Sequence, residues 1–307
     1  MRLLLALFCL FAQPVHAMLP KVSAGTLVRL EQFASALIAA RHVDVWLPDG
    51  YPKAAPYAVL YMHDGQMLFD GTQTWNGQEW RADEVASELI RSGKTRPFII
   101  VGIANGGAAR HSEYFPQRAF ALLSADDQAR MATLKRGDEA LFARPVDSDA
   151  YLKFLVTELK PHIDAHYAVD PAPSSTVIMG SSMGGLISMY ALAEYPGVFG
   201  AAACLSSHWA GTVTADDVPV QEALLSWVAT YFANAGAQRI YMDRGTETID
   251  VWYPALQDRV DQLLRDKGYA PGHMLSLVFP GADHSEKAWA ARLHIPMQFL
   301  LPPIDAQ

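Results

Sequence analysis

Apolar residues along this chain fall into short, nearly continuous runs separated by longer stretches of helical periodicity. YAVLYM at 57–62, FIIVGI at 98–103, TVIMG at 176–180, GAAACLS at 200–206, RIYMD at 239–243 and MLSLVF at 274–279 show little polar alternation. A strand that is apolar at every position must be covered on both faces, which is the condition of a parallel sheet. Between these runs, 80–91, 151–167, 220–232, 255–267 and the segment after Glu286 carry helical spacing. Near the start, TLVRLEQF and ALIAARHVDVWLP alternate in part, as antiparallel edge strands do. The pattern predicts an α/β fold with an open, mostly parallel sheet and helices on both faces. Its site should lie at the carboxyl ends of the strands.

Two stretches break the pattern. Residues 1–17, MRLLLALFCLFAQPVHA, carry Arg2, an apolar run and a small-residue exit, so they read as a secretory signal peptide and imply a periplasmic or secreted protein. Residues 116–150 are charged, Ala-rich and helix-forming, and they fall between a strand and a helix near the expected site. They read as an inserted helical, lid-like segment or as a solvated helical pair with no part in the reaction. The expected organisation is a leader, 1–17, and one domain, 18–307.

Composition narrows the field. The chain has 307 residues, 51% of them apolar, which suits one large globular domain. Its formal charge is −8, and −9 without Arg2, so nothing in its electrostatics favours nucleic acid or an anionic membrane as partner. Cys9 would leave with the leader, and Cys204 alone cannot form an internal disulfide.

The chemistry is concentrated at Ser175 to Tyr195, STVIMGSSMGGLISMYALAEY, where a strand, a tight turn and a helix follow one another. GxSxG centred on Ser182 arises by chance in roughly one such chain in ten. Its place between strand and helix makes it a nucleophile elbow, with Gly180 and Gly184 free of side chains so that strand and helix pass closely. A triad on this fold runs in the order serine, acid, histidine. His284, in the turn after the last strand, is the natural base. The acid comes from the 243–250 turn, where Asp250 is favoured, Glu247 is the alternative and Asp243 lies on the strand itself. His208 and Trp209 either line the acyl or alcohol pocket or pack in the core. Arg110 either contacts substrate or pairs with Glu113. His162 and His166 stand i, i+4 as in a zinc helix, but the glutamate of HExxH is missing, so no metal is expected.

YMHDGQMLFD, GSSMGGL, SSHW, RGTETID and FPGADHSEKAW, in this order over roughly residues 40–300, resemble the esterase D / enterochelin-esterase-like family of α/β-hydrolases. That family takes in S-formylglutathione hydrolases, feruloyl esterases and the antigen 85 acyltransferases. The resemblance implies an oxyanion hole made by the backbone N–H groups of Met183 and Gln66, and acyl transfer through Ser182 with no cofactor. It implies a small-molecule ester as substrate, such as a siderophore ester or lactone or an acylated carbohydrate. The alternatives are an acyltransferase of the antigen 85 type and a noncatalytic ligand-binding hydrolase fold. Oligomeric state is not implied.

Overall fold

The computed structural model describes residues 18–304, so the leader-like segment lies outside the described residues. The chain opens with strands β1, Thr26–Phe33, and β2, Arg41–Leu47, which pair antiparallel. The second expected strand starts late because Ser35 Oγ accepts from the N–H groups of Leu37 and Ile38 and folds 35–38 into a turn. β3, Ala58–His63, is buried throughout and leads through α1, Ala82–Arg91, to β4, Phe98–Ile103. Short helices follow: α2, Arg110–Tyr114, α3, Gln117–Ala121, and α4, Ala125–Met131. An exposed hairpin joins β5, Lys135–Arg136, to β6, Glu139–Ala140. Helices α5, Ser148–Phe154, and α6, Lys160–His166, are joined by a π-helical stretch, Leu155–Leu159. The remainder alternates: β7, Thr176–Ser181; α7, Met183–Glu194; β8, Ala201–Leu205; α8, Val218–Tyr231; β9, Arg239–Arg244; α9, Pro254–Asp266; β10, Met274–Val278. Two last helices, α10, Glu286–Arg292, and α11, His294–Leu300, end the described chain.

Eight strands form one sheet in the order β1-β2-β4-β3-β7-β8-β9-β10. β2 runs antiparallel to both neighbours and the rest are parallel. Along β3, Val59 and Tyr61 face one apolar core while Ala58, Leu60 and Met62 face another. That period-two division is why the run is apolar at every position. The first core packs α5 to α9 against the sheet, and the second packs α1, α10 and α11. Cys204, on β8, is a free thiol sealed inside the first core, and burial raises its pKa. Among the described residues no helix is long and apolar enough to cross a membrane.

The helix expected over 151–167 forms with its π-helical stretch. His162 and His166 stack at 4.1 Å on its last turns, and among the described residues no cluster of three or more metal-ligating side chains is present. The 116–150 segment is helical at first, but it then turns back as the β5–β6 hairpin, whose two-residue exposed strands leave no hydrophobic pattern to read.

Candidate active site

The carboxyl ends of β3, β4, β7, β8, β9 and β10 surround a cleft of about 860 Å³, within the size range of small-molecule sites. At its floor, β7 ends and α7 begins at Ser182, whose backbone sits at φ 58°, ψ −123°. A non-glycine residue in this region stores about 1–3 kcal/mol of strain and persists only when its surroundings impose it. Here the Ser182 N–H donates to Leu205 O at 2.9 Å, and its carbonyl accepts from the N–H groups of Gly185, Leu186 and His208. A Cβ on Gly180 would lie 2.7 Å from the backbone of Gly184, so strand and helix cross only because Gly180 has none. Gly184 is less constrained than the sequence suggests, since a Cβ there would meet Asp64 and His63 at 3.4 Å. Gly185 is tighter, at 2.5 Å from Ser207 Oγ.

His284 lines the same cleft. Its Nδ1–H donates to Asp250 Oδ1 at 2.5 Å. The other Asp250 oxygen, Oδ2, accepts from Ser206 Oγ at 2.7 Å and from the Gly245 N–H at 2.6 Å. Burial alone would raise the Asp250 pKa, but the hydrogen bond and charge of His284, with the Ser206 and Gly245 donors, hold it below the usual carboxylate range. The loops carrying the pair are fastened together. Ala282 O accepts from the N–H groups of Thr246 and Glu247, and Thr248 Oγ1 accepts from the His284 N–H. Gly245 is required at this seam, because a Cβ would stand 2.1 Å from Ala282 O.

The three acids of the turn are thereby separated. Glu247 is exposed, whereas the hydrogen bond from His284 goes to Asp250. Asp243 is buried against Arg292, whose Nε and Nη2 each reach it at 3.0 Å, and it also accepts from Tyr241 OH at 2.8 Å. Only Asp250 meets the histidine.

On the opposite side, the turn after β3 lies flat on β4. Gly65 permits this, since a Cβ would be 2.5 Å from the Gly102 backbone. Asp64 is at φ 55° and is held by Arg110 through Nε and Nη2 at 2.6 and 2.7 Å and by Asn105 Nδ2 at 2.7 Å. Burial opposes its ionisation, yet the Arg110 charge and hydrogen bonds, with Asn105, keep its pKa lowered. The Asn105 N–H donates to Gln66 Oε1 at 3.2 Å, tying the side chain of the next turn residue but one. Gln66 lines the cleft. Met183 is the first residue of α7, so its N–H is one of the helix-initial donors without an intrahelical acceptor.

Of the wall residues expected, His208 and Arg110 line the cleft, while the place of Trp209 and the partner of Arg110 need correction. Trp209 does not line the cleft: it is 1% exposed, sits in the first core and donates Nε1–H to Gln257 Oε1 at 2.9 Å. His208 does border the cleft, but both its ring nitrogens are engaged. Nε2–H donates to Thr212 O and Nδ1 accepts from Tyr253 OH, each at 2.7 Å. Burial depresses its pKa to about 3, so it is a neutral wall residue. Arg110 lines the cleft but pairs with Asp64, while Glu113 is taken by Arg41, at 2.8 Å to each oxygen, and by Arg144 at 2.7 Å.

The aromatic surface of the cleft comes instead from Trp75, Trp80, Trp252 and Trp289. Trp75 is 84% exposed. Trp80 and Trp289 lie 5.5 Å apart, and the Trp289 ring meets His284 edge-on at 4.9 Å. Of these only Trp289 stood within a motif that the sequence singled out, FPGADHSEKAW. Trp75 lies in a loop, Trp252 closes a short 3-10 helix, and Trp80 stands at the start of the stretch read as helix 80–91, where nothing marks it as a cleft residue.

Comparison with known proteins follows the same lines. Residues 34–299 match the sequence profile of the family Esterase, described as "Putative esterase". An uncharacterized protein of Bacillus subtilis, YbbA, is 25% identical over 80% of this chain and 87% of its own length. The ferri-bacillibactin esterase BesA of the same organism is 29% identical over 55% of this chain, which spans 54% of that relative. Among solved structures, a ferulic acid esterase superposes with a TM-score of 0.62 at 19% identity, covering 90% of this chain and 98% of the other.

Proposed function

Because the chain belongs to the Esterase family and is a carboxylic ester hydrolase, we propose that it cleaves its substrate through an acyl-enzyme on Ser182. The observation that carries this reading is the Asp250–His284 hydrogen bond opening onto the cleft that Ser182 lines. Ser182 Oγ attacks the ester carbonyl and gives its proton to His284 Nε2. Asp250, accepting from Nδ1–H, fixes the tautomer that leaves Nε2 free to take that proton, and it stabilises the imidazolium formed. The N–H groups of Gln66 and Met183 hold the oxyanion. Collapse of the tetrahedral intermediate passes the proton from His284 to the departing alcohol. Water then enters with His284 as base, releases the acid and restores Ser182.

The substrate we favour is an ester of a ring-bearing molecule, a siderophore ester or lactone or an acylated carbohydrate. Trp75 and its neighbours offer flat apolar faces at the cleft for such rings. Export is part of the same reading and rests on the leader-like residues 1–17. N-terminal sequencing of exported protein should begin at Met18, and a start at Met1 would overturn it.

The direct test is hydrolysis of a short-chain p-nitrophenyl ester by the wild type and by Ser182→Ala. Wild-type turnover with loss of several orders of magnitude in the variant is expected, together with fluorophosphonate labelling of the wild type alone. Equal activity in both would exclude Ser182 as nucleophile.

A further inference from the structure

The β5–β6 hairpin brings a cation to the cleft that the mechanism above does not use. Arg136 lines the cleft, and among the described residues its guanidinium has neither an ion-pair partner nor a hydrogen-bond acceptor. Arg110, the other cation of the wall, is neutralised by Asp64 through two hydrogen bonds. Desolvation, with a smaller repulsion from Arg110, lowers the Arg136 pKa. Its positive charge is felt by His208 and His111, which places it on the His208 side of the cleft. Glu286 also lines the cleft, but its carboxylate accepts from Asn76 Nδ2 at 2.7 Å and is not among the charges acting on Arg136.

The hairpin that carries this cation is fixed at its base. Leu141 N–H donates to Leu134 O at 2.8 Å, and Met131, Leu141 and Phe142 are buried in the first core. Phe142 packs edge-on against His111 at 4.9 Å. Arg130 grips Asp217 with both Nη atoms at 2.8 Å before the hairpin, and Arg144 reaches Glu113 after it. An uncompensated guanidinium held at a cleft wall by a braced support is a waiting half of an ion pair.

We propose that Arg136 is a specificity-determining residue, selecting esters that carry an anionic group, such as a carboxylate, phosphate or sulfate, over neutral esters of the same shape. The inserted segment then acts as a fixed reading wall for that charge. The inference rests on the esterase reading of Ser182, and its test keeps the two apart.

Two matched pairs cover the two sides of the scissile bond. Mono-p-nitrophenyl adipate against p-nitrophenyl hexanoate puts the charge on the acyl side, and 4-acetoxybenzoate against phenyl acetate puts it on the alcohol side. In at least one pair, Arg136→Ala should lower kcat/KM for the anionic ester about three- to fivefold, the upper end of the scale of one solvent-screened ion pair. The neutral partner should stay within about twofold. Arg136→Glu should cost more than Arg136→Ala, Arg136→Lys should retain most of the preference, and added salt should erode it. If Arg136→Ala changes neutral and anionic esters alike in both pairs, or changes neither, the inference is wrong even though Ser182-dependent hydrolysis stands. If the neutral esters turn over without Ser182, the fault lies in the esterase mechanism instead.

Discussion

Asp250 and Glu247 stand three residues apart, yet one is fully buried against His284 and the other is exposed. Asp250→Asn should therefore cut kcat by up to about four orders of magnitude, since an amide favours the wrong histidine tautomer, while Glu247→Gln should change it less than about threefold. Steady-state kinetics on one neutral ester decides between them, and the reverse outcome would move the acid to Glu247. The proposed nucleophile and base were legible as candidates because each sits in a motif fixed to a strand end. The proposed acid was harder to single out, because three carboxylates share one turn and only the fold shows that Arg292 occupies Asp243 while Ser206 and Gly245 cradle Asp250. The place of Trp209 stayed open for a related reason: adjacency to His208 in sequence says nothing about which of two neighbours turns inward to Gln257.

Between elements, the close crossing of β7 and α7 is the constraint that most limits substitution. Gly180→Ala should destabilise by about 2 kcal/mol or more, because the new methyl meets backbone that cannot move aside. Gly184→Ala, facing side chains at 3.4 Å, should cost distinctly less. Urea midpoints of the two variants compare them directly, and equal losses would show that the crossing relaxes. The strands were readable because burial on both faces writes a continuous apolar run, and α1 and α9 because each has one polar face, whereas α7, buried nearly all round, was placed by the elbow that precedes it. The helical start of 116–150 was readable from its composition, but α2, the division into α3 and α4, and the hairpin were not, since elements of two to seven residues carry too few positions to show a period.

At the scale of the molecule, alternation of strands and helices was enough to give the doubly covered sheet, whereas the pH behaviour depends on what the fold buries. His63, bonded to Tyr151 OH at 2.8 Å, and His208, at the cleft wall, are both buried, and desolvation lowers each pKa to about 3. The unfolded chain binds a proton at each site near pH 6.5, so between that value and about 3 it holds more protons than the native state. Stability is therefore full above pH 6.5 and falls as pH drops through this window. Each histidine should remove roughly 2 kcal/mol between pH 6.5 and 5. Urea unfolding at pH 7 and 5 should show the loss, and His63→Gln should flatten it by about that amount; an unchanged slope in the variant would contradict the assignment. Cys204 gives the same molecule a second report on its integrity. A thiol with no disulfide partner, sealed within β8 and disinclined to ionise, can meet a water-borne reagent only when the central sheet parts. The rate at which a chromogenic thiol reagent consumes it is thus a clock for opening of the whole sheet, readable without any engineered label.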